Sequence, residues 1–136
     1  MGPGVFALVS IAALSTWLAT VNEKVAKVEP DPPYNTGAVV DVSATVIETR
    51  EVPRTSPLSG VHLSVKAEGE VTDVYLGPAD FLKLFEITFT KGDELRIIGS
   101  KVKFGGGHVV LAREVRKDES TLYLRDQKGV PHWTRQ

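Results

Sequence analysis

No cysteine occurs in the 136 residues, and that absence removes several kinds of chemistry. It excludes a disulfide framework, thiolate metal sites, iron–sulfur ligation, covalent c-type haem and a lipid-modified cysteine anchor. The redox compartment stays open. Histidine is scarce too: His62, His108 and His132 are the only imidazoles. They share no close ligand spacing and read as surface-strand or tail residues, so no metal is expected. Ser59, Ser64 and Ser100 lack a G-x-S-x-G context, and no Ser–His–Asp arrangement follows from spacing. Asp73, Asp80, Asp93 and Glu94 fall in turns or on strand faces, with nothing to pair two of them in an apolar cleft. Gly105-Gly106-Gly107 precedes a strand pattern, so no helix start is there to hold phosphate. The expectation is a non-enzymatic chain without a cofactor or small-molecule substrate.

A strong excess of either charge is also missing, since the formal net charge is -1. The distribution is uneven, however. Residues 1–94 hold 7 Lys/Arg against 13 Asp/Glu, and residues 95–136 hold 9 against 4. Arg96, Lys101, Lys103, Arg113, Arg116 and Lys117, with Trp133 in the tail, form a candidate partner face. Charges on solvated strand edges and turns give the same pattern without a partner.

What is present begins with an apolar N-terminus. Met1 to Asn22 carries no ionisable side chain, and its densest stretch is Val5 to Val21. As a helix these 22 residues span ~33 Å, close to the ~30 Å hydrocarbon thickness. A single transmembrane helix over residues 1–22 is expected. A cleaved export signal competes with it, but the basic start is lacking and the best cleavage candidate, Ala13-Leu14-Ser15, lies inside the apolar run. A buried soluble helix is the third reading. Ala12, Thr16 and Thr20 recur every four residues with Ser15 and Ala19 beside them, a small-residue face for close helix contact. Lys24 and Lys27, taken literally, put the following part in the cytoplasm.

Residues 23–35 read as a linker. Pro30, Pro32 and Pro33 exclude a helix or central strand there and predict a stiff spacer. The folded part, 36–136, then alternates β-rich segments with turn chemistry. Ala38–Thr49 predicts a long first strand, and 50–60 a loop. In Val61–Ala67, Val61, Leu63, Val65 and Ala67 fall on one face and His62, Ser64 and Lys66 on the other. Glu68-Gly69 turns the chain into a strand at Val71–Leu76. Pro78 opens a short helix to Phe85, with Phe81 and Phe85 expected inside. Strands follow at Leu95–Phe104, His108–Val115 and Thr121–Arg125, with Gly99 permitting a bulge. Three strands, a helix and two strands, with one added C-terminal strand, predict a mainly β, OB-fold-like barrel with one short capping helix. An SH3-like or other small barrel is the alternative. Nucleic-acid binding needs aromatic platforms on the second and third strands. Those strands offer only Tyr75, beside Glu68, Glu70 and Asp73, so no nucleic acid is expected.

The stretches SGVHLSV, VYLGPADFL, KGDELRIIGSKV, VVLAREV and LYLRDQKGVPHW resemble a group of small exported bacterial OB-fold-like domains of unassigned function. The resemblance covers Gly60 to Trp133 and implies a periplasmic barrel, against the literal reading of Lys24 and Lys27. Combined with the apolar segment, it gives a single-pass protein of the bacterial inner membrane. The expected partners are the bilayer, through one span, and a membrane protein complex for which the chain is an accessory subunit. Respiratory and photosynthetic electron-transfer assemblies enter by analogy. The rival is a free periplasmic module holding a small solute or an envelope polymer in its barrel mouth.

Overall fold

The computed structural model describes residues 30–134. The expected membrane helix, with its face at Ala12, Ser15, Thr16, Ala19 and Thr20, lies outside the described residues. Among the described residues no helix is long and apolar enough to cross a membrane.

A 3-10 turn at Thr36–Ala38 leads into β1 (Val39–Val52), β2 (Gly60–Ala67) and β3 (Glu70–Gly77). A helix, α1 (Ala79–Leu82), precedes β4 (Glu94–Phe104), β5 (Gly107–Lys117), β6 (Ser120–Tyr123) and a last 3-10 turn at His132–Thr134. The β-branched run of β1 makes it long enough to serve two neighbours. Val39–Thr45 pairs with β4, and Ala44–Val52 with β2. β2 pairs with β3, and β4 with β5, all antiparallel. The parallel pairing of Asp73, Val74 and Tyr75 with Val109, Val110 and Leu111 closes the five strands into a barrel. β6 adds to β5 beside it.

Closure gives β3 and β5 two apolar faces, as expected of strands covered on both sides. Val74, Leu76, Val110 and Ala112 turn inward with Leu63, Val65, Ile97, Val115, Leu122 and Leu124. Tyr75, Val109 and Leu111 turn outward and form a second cluster with Leu58. Each buried Leu, Ile or Val in these clusters contributes ~1.5–3 kcal/mol. Gly99 sits at a bulge in β4, where a Cβ would meet the Leu111 carbonyl oxygen at 2.3 Å.

Two expectations change. The helix has four residues, not the eight of Pro78–Phe85. No side chain caps Pro78, and a single turn has little cooperative gain to extend it. Phe81 and Leu82 pack on the core, whereas Phe85 is 39% exposed and Leu84 77%. Second, His62 is buried, 2% exposed. It lies opposite Tyr75 on the outward face, as the alternation predicts, and it is buried because Leu58 and Tyr75 cover that face. Residues 31–35 fall in the compact unit Asp31–Gln136.

Candidate functional site

The proline segment packs on the barrel. The Asp31 carboxylate accepts from Leu58 N at 2.7 Å. Asn35 N donates to Ser100 Oγ at 3.0 Å, and that hydroxyl donates back to Asn35 O at 2.8 Å. Tyr34 packs against the outer cluster of Leu58, Tyr75, Val109 and Leu111. The Gly99-Ser100 pair of β4 therefore has two uses: the glycine admits β5, and the serine ties down the entering chain.

Beneath this strap lies His62. Its Nε2 is 2.7 Å from Leu58 O, and its Nδ1 is 3.1 Å from Asp73 Oδ1. Arg50 reaches the same carboxylate at 2.8 Å. Burial pushes the Asp73 pKa up, but the His62 contact and the Arg50 charge outweigh it and hold it below the ordinary value. Tyr75 stacks obliquely on His62, with ring centroids 5.1 Å apart, and donates to Ser59 O at 2.9 Å. Burial, with the Asp31 charge, pushes the Tyr75 phenol up to about 12.

The C-terminal motif closes the other side. Asp126 Oδ1 accepts from the backbone of Lys128 and Val130, both at 2.9 Å, and this builds a tight turn. Gly129 holds φ +87, and a Cβ there would strike the Tyr34 ring at 2.2 Å, so only glycine suits it. Arg125 Nη1 donates to Gly129 O at 3.0 Å. Its guanidinium carbon lies 5.7 Å from the Tyr34 ring centroid and 5.1 Å from that of Trp133, within cation–π range. Trp133 in turn rests on Gly77, where a Cβ would come within 2.9 Å of its ring. Pro32, Pro33, Tyr34, Tyr75, Arg125, Pro131 and Trp133 together line a cleft of about 490 Å³.

The sequence-predicted partner face divides. Arg96 makes a two-pronged pair with Asp41, Nε–Oδ1 at 2.8 Å and Nη2–Oδ2 at 2.5 Å. That contact, with the Arg96 charge, lowers the Asp41 pKa. Arg113 and Arg116 flank Glu114, each at 3.5 Å. Lys117 holds Asp93 at 2.9 Å and donates to Thr88 O at 2.6 Å. Thr90 N and Lys117 together lower the Asp93 pKa. Lys101 and Lys103 project from β4 as exposed cations. Trp133 belongs to the cleft, not to these strands.

Sequence reasoning missed Asp31, Tyr34, Leu58 and Arg125. Arg125 stands inside the quoted LRD-x-x-G-x-P-x-W pattern, which was the available signal. The prolines hid Asp31 and Tyr34, because a spacer pattern says nothing of what the segment lies on. Among the described residues no group of three or more His, Asp or Glu is placed to hold a metal ion.

Residues 38–122 match the family model described as the MamS/MamX magnetosome protein family. The matched span runs through the barrel to β6 and stops short of Arg125 and Trp133. No curated protein and no solved structure matches the chain.

Proposed function

The chain belongs to the MamS/MamX magnetosome protein family, and on that premise we propose that it is a non-enzymatic accessory protein of the magnetosome. Its barrel acts through contacts with other proteins, and the N-terminal apolar segment holds it at a membrane. The observation that carries this reading is the family match across the five barrel strands and into β6. It favours a magnetosome setting over the respiratory and photosynthetic assemblies named by analogy. We take the closed five-stranded barrel as OB-fold-like, supported by its strand order and by the single helix between β3 and β4. Protein contact is preferred to a solute in the barrel mouth. The opening beside Val40, Val65, Ile97, Val110 and Lys101 leaves about 80 Å³, well under the ~300 Å³ at which ligand pockets begin.

Native purification from membranes tests the reading. The full chain should leave detergent extracts in a complex with other proteins and survive a salt wash. A chain that elutes alone, at its own mass, from freshly extracted membranes would overturn it.

A further inference from the structure

Arg125 is the one described arginine with no carboxylate on it. Arg50, Arg54, Arg96, Arg113 and Arg116 each meet an Asp or Glu side chain. Arg125 meets the Gly129 carbonyl. Its Nε is buried without a hydrogen-bond partner, and so is the Tyr34 hydroxyl beside it. Burial pulls the guanidinium pKa down, against the opposing influence of Tyr75, Tyr34 and Asp31. Asp31 acts on it through space, without an ion pair, while its Oδ1 accepts from Leu58 N. A desolvated cation with idle donors is costly unless something completes it.

We infer that the Tyr34–Arg125–Trp133 cleft is a binding site for a carboxylate carried on an apolar body. The donor geometry selects the acid. With Nη1 committed to Gly129 O, the free edge of the guanidinium is Nε with Nη2. Arg96 uses that same edge to grip both oxygens of Asp41. A planar carboxylate matches this fork, and the pair is charge-assisted. Inorganic phosphate would want more donors than one fork supplies. Much of the remaining lining selects the body: Pro32, Pro33, Pro131 and the rings of Tyr34, Tyr75 and Trp133 are apolar, and about 490 Å³ admits one aromatic or aliphatic group, while Asp31 in the same lining opposes an acid. Lys128 at the rim adds positive charge. Nε is buried, so the ligand must widen the cleft to reach it. The carboxylate has two sources, an acidic side chain of a partner protein or a free carboxylic acid. The site goes beyond the accessory role and stands or falls separately from it.

The test uses the full-length chain in detergent micelles, with phenylpropionate as probe and phenylpropionamide as its neutral control. Heteronuclear NMR reads the arginine Nε–H and indole N–H groups directly. Phenylpropionate should shift the Arg125 and Trp133 resonances saturably, and the amide should bind about ten-fold or more weakly, the loss of one charge-assisted pair. Arg125→Lys keeps the charge but not the fork and should weaken the acid about ten-fold. Asp31→Asn keeps the acceptor for Leu58 N but removes the carboxylate charge that acts on Arg125, so it should tighten binding, a gain that misfolding cannot mimic. The capped dipeptide acetyl-Phe-Glu-amide separates the sources: competition at the same resonances assigns a protein side chain, and its failure beside a binding phenylpropionate assigns a free acid. Equal binding of the amide, unchanged affinity in Arg125→Lys, weakened affinity in Asp31→Asn, or no saturable shift would each overturn the site.

Discussion

Each ring nitrogen of His62 faces an oxygen, Leu58 O on one side and Asp73 on the other. The ring joins the β1–β2 loop to β3 through hydrogen bonds, and Tyr75 covers its face. Asp73 anchors this arrangement, so Asp73→Asn should cost ~1–3 kcal/mol near neutral pH. The sign of its pH dependence follows from the lowered pKa. A carboxyl that ionises more readily when folded contributes its stability fully above the unfolded value of ~3.9, and loses it as pH falls through the lower folded value. The gap between wild type and Asp73→Asn should therefore narrow as the pH is taken below ~3.9. Denaturant titrations at neutral and acid pH measure it, and a constant gap would refute the pairing. Glycines follow similar local logic. Gly99 and Gly129 were legible as bend and turn residues, but not as the places where Leu111 and Tyr34 approach.

At the scale of elements, the strap over residues 31–35 and the stub helix carry the consequences. The strap is held by two short polar ties and the Tyr34 ring. Ser100→Ala removes the acceptor for Asn35 N and the donor to Asn35 O. It should cost ~1–3 kcal/mol and release the amides near Asn35 to faster hydrogen exchange, while the barrel strands stay protected. Unchanged exchange at Asn35 would show that Tyr34 alone holds the segment. The helix makes a paired prediction. Phe81 packs on the core and against Trp133, centroids 5.4 Å apart, whereas Phe85 is an exposed hydrophobic that meets Phe81 edge to face. Truncating Phe81 to alanine should cost ~1–3 kcal/mol, and Phe85 to alanine ~0.5 kcal/mol or less. Comparable losses would mean that the exposed half of this segment is covered in solution. Strand positions were readable to within a few residues, because β-branched runs and glycine turns mark them locally. Helix length was not, because its end depends on which of Phe81, Leu82, Leu84 and Phe85 finds the core.

For the whole molecule, the N-terminal segment decides how the barrel is held. The mature chain should keep Met1–Asn22, and intact mass from membranes measures this directly. A mature N-terminus near Thr16 or Thr20 would make the segment a cleaved signal and leave the barrel free. Because Asp31 is already bound to the barrel, at most residues 23–30 remain to separate it from the apolar run. Fully extended, those residues reach ~28 Å.

The sequence by itself determined the mainly β architecture, the place of the helix and the turns, since each rests on neighbours a few residues apart: alternation, β-branching, proline and glycine. It also presented the motif residues Ser100, Arg125, Gly129 and Trp133 without saying what they meet. Only the tertiary structure decided that the parallel β3–β5 pairing closes the barrel and gives both strands a second buried face. That closure buries His62, draws the proline segment onto the barrel and pairs Arg96, Arg113, Arg116 and Lys117 with acids. It leaves Arg125 without a carboxylate. Those outcomes depend on contacts between residues as far apart as Asn35 and Ser100, and no local pattern encodes a distance of that kind.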